Sequence, residues 1–184
     1  MKLAQVQSAE GSASQALATY QQSIKDHPRE ISFYILAGML YESQRNWDQA
    51  KGMYQQALNI EHDNPLASNN LAYVMLEQGG NVDVALAMAQ TARRGMPDSP
   101  NAADTLGWAY FHKGVYQSAI DMFQESLRLN EKKGAPDDPS VHYHLGLAYE
   151  KANQPAQARQ QLERTLKISP NFDDAKKALS ELRG

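Results

Sequence analysis

The segment Asp104-Thr105-Leu106-Gly107-Trp108-Ala109-Tyr110, followed by Ala119, Phe123 and Ser126, contains the unit from which the rest of the chain is built. Apolar and small residues fall three and four apart in each half, the spacing of one face of an α-helix. Gly114 lies between the halves and marks a turn. Glycine in the first half and alanine in the second lack bulk, so two helix backbones can approach closely. Tyr110 and Phe123 fill the space beside that contact. The segment therefore predicts an antiparallel pair of amphipathic helices.

Outward from this segment the pattern recurs. Ala119, Phe123 and Ser126 have counterparts in Ala16, Tyr20 and Ser23, in Ala50, Tyr54 and Ala57, in Ala85, Ala89 and Ala92, and in Ala158, Leu162 and Thr165. The steps between the leading alanines are 34, 35, 34 and 39 residues. Leu106-Gly107 with Tyr110 is copied by Leu145-Gly146 with Tyr149, by Ala37-Gly38 with Tyr41 and, more loosely, by Leu71-Ala72 with Met75. Turns between paired helices are predicted at Gly11, Asn46, Gly79-Gly80-Asn81, Gly114 and Asn153. Pro155 suits the first position of a second helix, where a missing N–H costs nothing. Pro28, Pro97, Pro170 and the Asn64-Pro65, Ser99-Pro100 and Asp138-Pro139 junctions separate successive pairs.

A 34-residue helix–turn–helix with Leu-Gly and Tyr in the first helix, and Ala and an aromatic in the second, resembles the tetratricopeptide repeat family. Residues 3–172 carry the resemblance, and Asn69-Asn70-Leu71-Ala72-Tyr73 and His142-Tyr143-His144-Leu145-Gly146 look like bacterial multi-repeat proteins. Ala37, Ala72 and His62 depart from the family's usual Leu, Gly and Pro. The resemblance implies an all-α fold, a right-handed superhelical α-solenoid of antiparallel helix pairs. The expected organisation is a single array: a partial repeat over 1–30, repeats over 31–64, 65–99, 100–138 and 139–172, and a capping helix over 173–184. The step of 39 predicts a longer second helix and a surface loop around Glu131–Asp138. The cap is predicted from the stripe Ala175, Ala178, Leu179 and Leu182, opposed by Asp173, Asp174, Lys176, Lys177, Glu181 and Arg183. A first repeat that opens partway along its first helix points to a fragment of a longer chain.

Composition narrows the function classes. Of 184 residues, 42% are hydrophobic and 21% charged, a balance that supports a packed core. The net charge of -3 offers no basic field for nucleic acid. No apolar run reaches the ~18 residues that a membrane span requires, so direct membrane insertion is not expected. There is no cysteine, which removes disulfides, thiolate nucleophiles and cysteine metal sites. Cysteine-free chains fit reducing and oxidising compartments alike, so the compartment stays open, with a lean toward a bacterial periplasm or envelope.

Catalytic and cofactor constellations are poor. Gly79-Gly80 has no following Lys-Ser/Thr and lies in a turn, so no phosphate loop is expected. His142 and His144 are two apart, and on a helix they point to different faces. Asp137-Asp138 and Asp173-Asp174 precede or open helices, where capping and the helix dipole explain them. No enzyme activity, cofactor or metal is expected.

A binding surface is. The resemblance implies a concave wall of first helices, lined by Ile35, Met39 and Glu42, by Asn69, Tyr73, Leu76 and Glu77, by Asp104, Trp108, Phe111 and His112, and by Tyr143, Leu147, Glu150 and Lys151. Trp108 follows the packed Leu106-Gly107 pair, and helix geometry is expected to turn it off the core into the groove. The competing expectation is that these rings pack between neighbouring first helices and stiffen the array. The slots that hold lysine and arginine in chaperone-tail receptors contain Ile35, Asn69, Asp104, Thr105, Tyr143 and His144 here. A protein partner is therefore expected to present an amphipathic helix or an extended apolar peptide. Self-association through the truncated first repeat, and service as a regulatory arm of a larger enzyme or envelope assembly, are the alternatives.

Overall fold

A computed structural model describes residues 13–182, and among them it contains ten α-helices and no strand. The expected turn at Gly11, the opening of the first repeat and Arg183 lie outside the described residues. The fold is all-α, a solenoid of antiparallel helix pairs. The helices gather into two compact units, one reaching to Gly95 and the other starting at Met96.

The first unit holds α1 (Ala13–Asp26), α2 (Ile31–Ser43), α3 (Trp47–Ile60), α4 (Pro65–Glu77) and α5 (Val82–Gly95). Each helix packs on its chain neighbours, and α2 also touches α4. Small residues set the separations: Ala50, Ala57, Ala85, Ala89 and Ala92 have no exposed surface. A Cβ placed on Gly38 would lie 2.5 Å from the ring of Tyr54, which is itself fully buried. The glycine on α2 is thus the seat of the ring on α3.

The second unit holds α6 (Pro100–His112), α7 (Tyr116–Lys132), α8 (Pro139–Lys151), α9 (Pro155–Ile168) and α10 (Asp173–Glu181). The same seating recurs. A Cβ on Gly107 would lie 2.6 Å from Phe123, and one on Gly146 would lie 2.9 Å from Leu162. Phe123 and Leu162 are fully buried, and each contributes roughly 2–3 kcal/mol by leaving water. Leu162 also carries the last helix: Ala175, Ala178 and Leu179 of α10 close over it, with Leu182 at the edge.

Boundaries follow local chemistry. Asn64, Ser99 and Asp138 each accept a hydrogen bond from the first turn of the helix they precede, at 3.0, 3.3 and 2.9 Å. Pro65, Pro100 and Pro139 come next, so these junctions start helices as well as separate pairs. Each turn between paired helices contains one left-handed residue: Arg45 (φ 57°), Gly79 (66°), Gly114 (81°) and Asn153 (59°). The turn expected at Asn46 lies between Ser43 and Trp47, the ends of α2 and α3. Asn46 directly precedes α3, and Arg45 makes the turn although arginine pays a steric cost in that conformation.

The long step between repeats has two parts. Helix α7 has 17 residues where α3, α5 and α9 have 14. A short loop follows, tied by Asn130 Nδ2 donating to Pro136 O at 2.6 Å. Within it Asp138 caps α8, but the expectation that Asp137 also serves a helix end is corrected. Its carboxylate accepts from Arg164 and lies within hydrogen-bond distance of His142. The cause is tertiary: α9 brings Arg164 to the loop from 27 residues away.

Candidate peptide-binding face

In the first unit the residues expected to line a groove split by burial. Ile35 and Leu76 face the core, at 6% and 2% exposure, while Met39 stands 47% exposed. Tyr73 is half-buried. Asn69 is buried, and its side-chain N–H donates to Asn70 Oδ1 at 3.3 Å while its own Oδ1 has no partner. Near the end of α2 the Tyr54 hydroxyl donates to Glu42 Oε2 at 2.6 Å. Burial pushes the Glu42 carboxyl above its ordinary range; the hydrogen bond from Tyr54 opposes this, and the charge of Glu77 adds to it. The Tyr54 hydroxyl is pushed up in turn by burial and by Glu42.

In the second unit Trp108 overturns an expectation. It is only 8% exposed and does not project freely into a groove. Its ring stacks on His144 of α8, with centroids 4.3 Å apart and planes 20° from parallel, and on Phe111 at 4.9 Å. His144 is fixed in turn by Asp104, whose Oδ1 lies 3.0 Å from His144 Nδ1. The helix does turn Trp108 away from Phe123, but the neighbouring first helix supplies a planar partner that covers it. The competing expectation, rings packed between first helices, describes this residue. Sequence reasoning placed His144 in a groove slot and did not pair it with Trp108. Its signal was register: His144 stands where Asn70 stands in the first unit, at the seam between consecutive first helices.

Around this seam Phe111, Tyr143 and Leu147 keep part of their surface exposed, and Asp104 is half-buried. Tyr143 contacts Phe172 with centroids 5.0 Å apart. The second unit therefore presents aromatic edges carried on rigid helices, with a buried aromatic–imidazole stack beneath. Such a face offers apolar contact area with little side-chain freedom left to lose. His142 and His144 diverge: the first faces Gln161 and Asp137, the second Asp104. Among the described residues no group of three or more His, Asp or Glu could hold a metal ion. Nor, among them, is any helix long and apolar enough to cross a membrane.

Comparison with known proteins agrees with the helix-pair geometry. Family models described as tetratricopeptide repeat match residues 99–171, 34–68 and 1–29. A search of curated proteins finds no match. Among solved structures, a chain of the APC/C hetero-tetramer Cut9-Hcn1 is similar at a TM-score of 0.80 and 24% identity. That match covers 97% of this chain but 35% of the other, so this chain spans about a third of that relative. PilW, a type IV pilus biogenesis factor, is similar at a TM-score of 0.75 and 18% identity, over 99% of this chain and 90% of its own. YrrB, a protein of the same repeat class with an unusual peptide-binding site, is similar at 0.67 and 20% identity, over 96% and 88%.

Proposed function

We propose that this chain, which belongs to the tetratricopeptide repeat family, is a non-catalytic module that binds a protein segment on the first-helix faces of its units. One observation carries the reading: Phe111, Tyr143 and Leu147 hold partly exposed apolar surface on helices that a buried stack locks in place. Rigid aromatic anchors dominate peptide interfaces. The first unit supports it with exposed Met39 and half-buried Tyr73 on its first helices. The partner that fits is an amphipathic helix or an extended apolar segment, and near Glu42 and Glu77 a basic side chain complements the face. YrrB, with its peptide-binding site, and Cut9-Hcn1, a complex, are consistent precedents of the same fold. A bacterial envelope assembly is the setting we propose.

The test is a peptide selected against the chain from a displayed random library, with its affinity measured by calorimetry. Phe111→Ala should weaken it about tenfold or more, a loss on the order of 1.4 kcal/mol. Gln157→Ala, on the exposed side of α9, should leave it unchanged. If the two substitutions act alike, the first-helix face is not the binding surface.

A further inference from the structure

On the second-helix side of the second unit lies a cleft of about 640 Å3 between α7 and α9, walled at one end by the loop after α7. Its floor includes His142, Leu145 and Tyr149 of α8, and Gln161 and Arg164 of α9 line one side. His142 is only 8% exposed. Its Nδ1 lies 2.7 Å from Gln161 Oε1, which orients the ring, and its Nε2 faces the cleft. Arg164 directs Nε and Nη2 at the same point. A buried imidazole edge and a partly solvated guanidinium edge converging on one spot form a receptor for a carboxylate, because a carboxylate's two oxygens accept from two directions at once.

The occupant of that receptor belongs to the chain itself. Asp137 places Oδ1 2.9 Å from His142 Nε2, and its Oδ2 accepts from Arg164 Nε at 3.0 Å and Nη2 at 2.6 Å. Asp137 sits in the loop that the 39-residue step adds, tied otherwise by Asn130 and the cap Asp138. The geometry points to a second binding site for a carboxylate group, formed by His142, Arg164 and Gln161 and plugged in cis by Asp137, which a partner's carboxylate enters when the loop lets go. Burial alone would push the Asp137 carboxyl up; the hydrogen bonds from Arg164 and His142 and their charge outweigh it, so the plug is held as an anion. Arg128, which is paired with Glu125, and Glu131 of α7, and Glu163 and Lys167 of α9, flank the position. Removing the Asp137 charge therefore leaves Arg164 without the carboxylate it pairs with. A tether of a few residues gives the cis carboxylate an effective concentration on the order of millimolar, so the plug competes with a free ligand without excluding it.

The test uses three small probes at low salt, with the His142 ring resonance followed by NMR and assigned by its loss in His142→Gln. N-acetyl-aspartate amide offers a side-chain carboxylate, N-acetyl-alanine a chain-end carboxylate, and N-acetyl-asparagine amide neither. In Asp137→Ala at least one carboxylate probe should shift the resonance saturably, about tenfold tighter than in the unaltered protein, and the asparagine probe should not. Whichever carboxylate binds better identifies the source as a side chain or a chain end. Arg164→Gln added to Asp137→Ala should abolish the response. The proposal is overturned if neither carboxylate binds Asp137→Ala, if affinity equals that of the unaltered chain, or if binding survives Arg164→Gln. Should Asp137→Ala lose helicity by circular dichroism, Asp137→Asn keeps the shape of the plug without its charge and is judged by the same outcomes.

Discussion

Met39 in the first unit and Trp108 in the second occupy the same register on equivalent first helices, yet one is 47% exposed and the other 8%. What differs is the residue that the next first helix brings over. In the first unit Asn70 turns to Tyr54, which is already bonded to Glu42. In the second unit His144 turns to Trp108 and Asp104 instead. The backbone scheme is identical, and Gly38 and Gly107 seat their rings alike. A repeat therefore fixes where a side chain starts, and the neighbouring repeat decides whether it is core or surface.

The sharpest way to break this comparison is truncation at the shared register. Trp108→Ala should destabilise the second unit by roughly 3–5 kcal/mol, as removal of a buried ring does. Met39→Ala should change stability by less than about 0.5 kcal/mol. Denaturant unfolding of both variants checks this, and similar losses would mean that the two seams are alike after all.

Next in size is the seat beneath the rings. Gly107→Ala forces a methyl against buried Phe123 and should cost about 1–3 kcal/mol. Gly52 lies within α3 with nothing within 4 Å of an added Cβ, so Gly52→Ala should stabilise by up to about 1 kcal/mol through helix propensity. Melting temperatures moving in opposite directions confirm the seat.

The turns sharpen the comparison further. Arg45→Gly should stabilise by about 1 kcal/mol, since arginine carries the full left-handed cost. Asn153→Gly should gain less, because asparagine tolerates that conformation better. Equal gains in thermal unfolding would contradict this account of Arg45.

The smallest effects come from two carboxyls with opposite signs. Glu42 is held above its ordinary value, so its contribution is complete below the unfolded carboxyl range and is lost as pH rises through the raised folded value. Glu42→Gln should then stabilise slightly at pH 7 and not at pH 3. Asp137 is held below its ordinary value, so its contribution is present above about pH 4 and is lost as pH falls through the lowered folded value. Asp137→Asn should thus destabilise at pH 7 and become neutral in acid, by less than about 1 kcal/mol because both partners are partly solvated. Unfolding curves at the two pH values decide it.

Helix pairing was legible because its causes are local. Gly107, Tyr110, Ala119 and Phe123 lie within one hairpin, and their spacing alone states which face is buried. Burial of Trp108 was not legible, since it depends on His144, which stands 36 residues away on another helix. The partner of Asp137 was hidden for the same reason, because Arg164 arrives from another helix. The turn at Asn46 was legible, but that Arg45 takes its left-handed conformation was not, because asparagine tolerates that conformation better than arginine. Among the expected groove residues, Ile35 and Leu76 carry apolar side chains that fit either environment, so composition could not separate core from face.

The extra length of α7 has a consequence for how the chain assembles. Chains built of near-equivalent hairpins risk pairing a hairpin with the wrong neighbour during folding, because each offers a similar apolar face. A 17-residue helix beside helices of 14, closed by a loop that ties Asn130 to Pro136, gives one hairpin a length that the other described hairpins lack. That additional turn is polar and largely exposed at Glu131 and Lys132, so the hairpin is set apart by its length and its tied loop rather than by a further buried face. The longest helix thus distinguishes one hairpin from its near-copies, and the loop that follows it delivers Asp138 to start α8.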